Sequence, residues 1–272
     1  MPSLSMSPQV FSILSALVAE RAGLHFDLPH ATVFGEKVAA RAAELGFESL
    51  LDYYYFLRYD AGGPAETEAL IDALVVNETY LFRELPPLET MVRELLLPRV
   101  QAGQRPRVWS AACSTGEEPH TVAMLLATYG ILEAVELVAS DISGTALARA
   151  RTGRFGRRAL RYDIPGFAAG WLDVGEREIV IRRRFTDAIQ WRRLNLLQQD
   201  AVAAMGLFDV ILCRNVLIYF SDDTVRRVVT SLAGQLVEGG ALFVGIAESL
   251  LRFAIPLSCE EQSGIFLYKK LP

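Results

Sequence analysis

Apolar residues change their rhythm once along this chain, near residue 107, and that change divides the sequence into two unlike parts. Over the first part Phe11, Leu14, Leu17 and Val18 recur at helical spacing, and the segments 33–45, 50–59 and 66–75 repeat the pattern between Gly, Pro and Asp punctuation. A small helical module is expected there. From residue 107 short apolar runs alternate with helical stretches instead. Strands are expected at 107–113, 135–140, 189–194, 209–213, 241–245 and 265–269, and helices at 118–129, 145–151 and 222–236. Such alternation specifies a mostly parallel sheet with helices on both faces. Ligands of these sheets bind beyond the carboxyl ends of the strands, where the winding reverses, so a site is expected in the residues that follow each strand.

With 272 residues, 51% of them hydrophobic, the chain can bury a substantial core, which excludes disordered and collagenous classes. Charge is unevenly spread. Up to Val75 ten acids face four bases, a balance of −6 that argues against a basic nucleic-acid-binding head. Cys113, Cys213 and Cys259 form no C-x-x-C pair and lie far from His25, His30 and His120, so neither a disulfide framework nor a zinc site is expected. The uncharged first eight residues do not read as a secretory leader, and apolar stretches such as 241–247 are too short to span a bilayer. A reduced, cytoplasmic protein is expected. Residues 151–193 carry eleven Arg against five acids and read as an insertion on the rim of the sheet. In it, the alternating run from Glu178 to Arg182 is expected to pair with 189–193 as an antiparallel hairpin. This basic face is either simply solvated or a docking surface for an acidic partner.

The first strand runs through Ala112, Cys113, Ser114, Thr115 and Gly116 into a helix that starts near Glu117, Glu118 and Pro119. Ser114 with Glu117, or Thr115 with Glu118, is expected to form a capping box. One glycine and two carboxylates make a poor cradle for a diphosphate and suit a neutral or cationic ligand. Asp141 ends the second strand 25 residues after Gly116, where a carboxylate either accepts ribose hydroxyls or caps the next helix. Asn195 beside Leu196 could read a purine edge and wall its face, or make a local turn. Cys213 reads as a small buried hydrophobe, and Arg214 and Asn215 follow it. Arg83 offers a planar fork to a carboxylate, or pairs with Glu84 or Glu89 on the surface.

Taken together, N-E-T-Y-L-F-R-E at 77–84, W-S-A-A-C-S-T-G-E-E-P at 109–119, S-D-I-S at 140–143, N-L-L at 195–197, C-R-N-V-L-I-Y-F at 213–220 and G-I-A-E-S at 245–249 resemble, in order, the chemotaxis receptor methyltransferase (CheR) family. The resemblance implies a class I S-adenosylmethionine-dependent methyltransferase fold, α/β and Rossmann-like with a mostly parallel sheet, carrying an N-terminal all-helical domain (1–75) and a small antiparallel β insertion (about 151–193) within the methyltransferase domain (76–272). It implies methyl transfer to glutamate side chains on the cytoplasmic helices of methyl-accepting chemotaxis receptors, with S-adenosylhomocysteine as by-product and no nucleic-acid or membrane-inserted partner. A binding or scaffold module without turnover is the alternative.

By the same resemblance, Asn77, Thr79 and Arg83 meet the methionine end of the cofactor. Ala112, Glu117 and Glu118 meet it from the first loop, Asp141 takes the ribose, Asn195 and Leu196 the adenine, and Asn215 and Val216 the side of the fourth strand. Arg83 and Tyr219 orient the incoming carboxylate. Where amide and adenine N-methyltransferases carry Asn/Asp-Pro-Pro-Tyr, this chain has Arg214-Asn215-Val216, which argues against those substrates. The ending Gly245-Ile246-Ala247-Glu248-Ser249 departs from the family's usual His-Ser-Glu style, and the sequence alone offers no account of it.

Overall fold

The structure, a computed structural model, describes residues 4–271; Met1 to Ser3, part of the stretch read above as lacking a leader, lie outside them, as does Pro272. The chain divides into two compact units, Met1–Val76 with Tyr219–Thr224, and Asn77–Ile218 with Val225–Pro272.

Among its described residues the first unit contains four α-helices, α1 (Pro8–Ala22), α2 (Ala31–Glu44), α3 (Leu50–Tyr59) and α4 (Gly63–Leu74). Local chemistry sets their ends. Ser7 Oγ accepts the N–H of Val10 to start α1, Pro8 occupies its first turn, and Gly23 closes it at φ 76°. The apolar stripes read from the sequence meet in one core of Phe11, Leu14, Phe34, Val38, Tyr53, Leu57, Leu70 and Leu74. A charge is buried with them: Arg41 of α2 donates twice to Glu66 of α4, at 2.7 Å each, and Tyr53 of α3 donates to the same carboxylate at 2.6 Å. Burial and that carboxylate push the Tyr53 phenol up.

In the second unit the strands are β1 (Arg107–Ala111), β2 (Glu136–Asp141), β3 (Arg154–Gly156), β4 (Leu172–Val174), β5 (Glu178–Ile181), β6 (Ile189–Arg193), β7 (Phe208–Leu212), β8 (Leu236–Phe243), β9 (Ser258–Gln262) and β10 (Ile265–Lys269). Seven form one sheet in the order β6-β2-β1-β7-β8-β10-β9, parallel from β6 to β8 and antiparallel over the last two pairings. The winding reverses between β1 and β7, so the loops after those strands lie at the switch point. A long apolar helix, Glu117–Thr128, follows β1 and is buried along most of its length.

The insertion does contain a small antiparallel sheet, in the order β3-β5-β4, but the expected hairpin is not its basis. β5 pairs with β3 and β4, whereas β6 joins the main sheet parallel to β2. A hairpin needs a tight turn. Here a helical turn, Arg183–Asp187, with Phe185 fully buried, carries the chain from one sheet to the other. The segment before β1, for which the sequence predicts no element, is helical. It forms Leu85–Thr90, with Pro86 and Pro87 in its first turn, then a π-helical stretch Met91–Leu96 and Leu97–Gln101, with Pro98 at the join between the last two.

Candidate active site

Among the described residues, six that are not glycine adopt positive φ, and five of them sit in three loops: Phe82 and Glu84, Ala112 and Ser114, and Asn215. Left-handed backbone is costly for side-chain-bearing residues and persists where surrounding contacts over-determine it. These are the loops in which the sequence placed its candidates.

The loop after β1 is held from β2. Asp141 accepts the N–H of Ser114 on Oδ2 at 2.7 Å and that of Ser143 on Oδ1 at 2.9 Å. Ser143, not Asp141, caps the next helix, through a 3.0 Å bond from Ala146. The expected capping boxes do not form. Ser114 turns left-handed and gives its hydroxyl to Asn77 at 3.0 Å, Thr115 gives its own to Glu117 at 2.7 Å, and Gly116, at φ 92°, starts the helix. Gly116 has to be glycine, since a Cβ would stand 2.7 Å from that of Ala150 and 3.0 Å from Trp191. Glu117 is buried, which raises its carboxyl. Leu194 donates to the carbonyl of Asp141, setting Asn195 and buried Leu196 beside the end of β2. Asn195 accepts the N–H of Leu197, the local turn weighed above.

The loop after β7 is held by charges whose roles the sequence reading did not assign. Arg214, with 2% of its side chain exposed, gives Nη1 to Glu118 at 2.8 Å and Nη2 to Glu84 at 2.9 Å, and Nη2 also reaches the carbonyl of Arg83 at 3.0 Å. Glu118 therefore serves as a partner of Arg214 and accepts the Ser110 hydroxyl as well. Burial works to raise the Glu84 carboxyl, but Arg214, Asn215 and the Ile246 amide together hold it below the usual carboxylate range. Arg214 Nε is buried without a hydrogen-bond partner, a donor that a ligand oxygen would satisfy.

Glu248 gives the 245–249 segment a structural role, while nothing in the structure explains its departure from the His-Ser-Glu style. Its Oε2 accepts the N–H groups of Asn215 and Gly245 and its Oε1 those of Leu217 and Ile218, three of the four at 2.7 Å. Asn215 thus stays left-handed, with its amide 3.3 Å from Glu84 and Val216 half-buried next to it. Glu84 and Glu248 both lie in the motifs quoted above; for Glu248 the one available signal is an acid standing among small and apolar residues after β8, and for Glu84 the sequence carries none.

Arg83 donates to the Glu78 carbonyl at 3.0 Å and keeps its fork 4.0 Å from Glu84, the nearby acid foreseen as its surface partner. Thr79 is half-buried in the same loop. Tyr219 ends a short helical turn, Leu217–Tyr219, groups with the helical unit, and accepts the N–H of His25 on its carbonyl. Cys113 and Cys213 are fully enclosed and burial pushes both thiols up, as inert thiols require.

Carboxylates at the switch point with a single glycine and no diphosphate cradle, plus an unpaired buried guanidinium N–H, suit a ligand bearing hydroxyls, a cation and a carboxylate. S-adenosylmethionine has all three. Residues 77–264 match the family model described as CheR methyltransferase, SAM binding domain, and residues 9–75 match CheR methyltransferase, all-alpha domain. Chemotaxis protein methyltransferase 2 of Vibrio cholerae is 34% identical over 244 residues, covering 86% of this chain and 83% of that protein. Chemotaxis protein methyltransferase 1 of Pseudomonas aeruginosa is 35% identical over 215 residues, 75% of this chain and 77% of that one. A probable biofilm formation methyltransferase, WspC, of the same species is 33% identical over 86% of this chain and 56% of its own. Both units are matched, each by its own domain description, and the chain belongs to the CheR methyltransferase family.

Proposed function

We propose that this enzyme moves the methyl group of S-adenosylmethionine onto glutamate side-chain carboxylates of chemoreceptors, forming glutamate methyl esters. The observation that carries the reading is the carboxylate set at the switch point, Glu117, Glu118 and Asp141, in place of a glycine-rich anion cradle. The cofactor, when bound, supplies a methyl group activated on a sulfonium. Asp141, at the carboxyl end of β2 and beside the loop after β1, would take the ribose hydroxyls. Asn195 and Leu196 would hold the adenine. Asn77, Thr79, Ala112, Glu117, Glu118, Asn215 and Val216 would line the methionine end. A glutamate acceptor is already ionised at neutral pH, so no general base is required and the protein's task is alignment and exclusion of water. Arg83 and Tyr219 would orient the acceptor carboxylate by hydrogen bonds.

We assign the domain boundary to the junction near residue 76 and the working compartment to the cytoplasm, where the acceptor helices would lie. No helix among the described residues is long and apolar enough to cross a membrane. The test is transfer of labelled methyl from S-adenosylmethionine to a purified receptor cytoplasmic domain. Label released by mild alkali supports the ester. Alkali-stable label overturns carboxyl methylation, and cofactor uptake without transfer favours a binding module.

A further inference from the structure

The loop that carries Arg83 is fastened to the insertion. Leu81 donates its N–H to the Ala159 carbonyl at 2.8 Å, and the rings of Phe82 and Phe167 meet edge to face at 6.0 Å. Beside that seam one aromatic ring serves two arginines: the Tyr80 ring centroid lies 5.6 Å from the Arg83 guanidinium and 4.5 Å from that of Arg161. Tyr162 stands edge-on to Tyr80 at 6.1 Å and is 73% exposed, the fullest exposure of a tyrosine among the described residues together with Tyr59. Arg161 gives one N–H to Glu78 at 2.9 Å, an exposed pair that solvent and salt weaken.

Stacking on a ring restricts a guanidinium without consuming its donors, so less freedom is lost when a carboxylate is then taken. An exposed tyrosine beside ordered arginines has the make-up of an interface anchor. The surrounding segment, 151–193, carries the excess of six positive charges, so the complementary partner is acidic. We propose that Tyr80, Arg161 and Tyr162 form a docking surface for the acceptor, with Arg161 taking a second carboxylate on the same helix face as the glutamate presented to Arg83. The two distances to a shared ring centroid put the two guanidiniums no farther apart than about two helical turns of 5.4 Å each. The second carboxylate therefore belongs three, four or seven residues from the modified one. This inference rests on the reading of a glutamate-bearing acceptor.

The experiment uses the full chain with a receptor cytoplasmic domain and labelled S-adenosylmethionine. Arg161→Gln and Tyr162→Ala should each raise KM for the receptor about tenfold, and Arg161→Gln, which removes a charge, should also flatten its salt dependence, while calorimetric affinity for S-adenosylmethionine stays at the wild-type value. Arg161→Glu should lose more, and a receptor whose flanking glutamate is changed to lysine should restore it. An unchanged receptor KM in both Arg161→Gln and Tyr162→Ala at low salt overturns the docking surface. Wild-type protein that binds S-adenosylmethionine yet leaves the receptor unlabelled overturns the glutamate reading instead, and a cofactor affinity that weakens as the receptor KM rises overturns the separation of docking from the cofactor site.

Discussion

One oxygen of Glu248 accepts the backbone N–H groups of both Asn215 and Gly245, at 2.7 Å each, tying together the loops that follow two neighbouring parallel strands. Replacing Glu248 by Gln keeps the shape but turns an N–H₂ group toward amide donors. Stability should fall by about 1–3 kcal/mol, and affinity for S-adenosylmethionine should weaken about tenfold as Asn215 relaxes. Gly245→Ala should weaken binding similarly, since its Cβ would lie 2.4 Å from the Asn215 amide nitrogen. Denaturant midpoints and calorimetry check both; wild-type affinity in the pair would detach this clamp from the site.

Arg214 neutralises two carboxylates that cannot reach water freely. Arg214→Ala should cost about 3–5 kcal/mol because Glu84 and Glu118 are left facing each other unpaired. The effect has a pH signature. A carboxyl held below its ordinary pKa stabilises the fold above the unfolded value, about 4.3, and loses that contribution as pH falls through the folded value. Wild-type stability should therefore drop on acidification below that point, and the variant should drop less steeply. Urea midpoints measured across acid pH decide it.

His120 is fully buried, with Nδ1 2.7 Å from the Gly116 carbonyl, Nε2 3.0 Å from the Thr186 hydroxyl, and the rings of Phe155 and Trp191 around it. Burial lowers its pKa to about 4. The unfolded chain binds a proton near pH 6.5 while the folded chain stays neutral, so stability falls as pH drops from about 6.5 to about 4 and levels off below. His120→Gln should remove most of that slope. A slope equal to wild type, read by thermal midpoints in matched ionic strength, would mean that the imidazole titrates in the fold.

Arg83→Lys keeps the positive charge but loses the fork that can align a carboxylate with two parallel bonds. The methyl-transfer rate at saturating cofactor should fall about a hundredfold, with a much smaller change in S-adenosylmethionine affinity. Single-turnover transfer and calorimetry separate the two; a loss confined to affinity would make Arg83 a cofactor-holding group only.

Much of the fold was legible in the residues themselves. Strand β10 falls where the apolar run at 265–269 predicts, α3 spans the predicted 50–59, and the first helix of the sheet starts one residue before its predicted position. Period-2 and period-3.6 patterns survive because each element buries one face or one stripe locally. The three-residue strands β3 and β4 were not legible, since so short a run has no period, and neither was the helical run 85–101, whose π-helical stretch departs from the 3.6-residue period and whose Pro98 lies inside it.

The sequence by itself determined the order of elements, the strand ends at which chemistry could occur, and the identity of the polar residues delivered there, because these follow from neighbours a few positions apart. Only the tertiary structure decided which charges answer which. Arg214 meets Glu118 across 96 residues and Glu84 across 130, and Glu248 reaches back 33 to Asn215. Arg214, Glu118, Glu248 and Asn215 meet because parallel strands bring the loops at their carboxyl ends side by side, while Glu84 is delivered by the start of the helix at 85–90; a buried charge then settles on whichever opposite charge or backbone amide the packing leaves within reach.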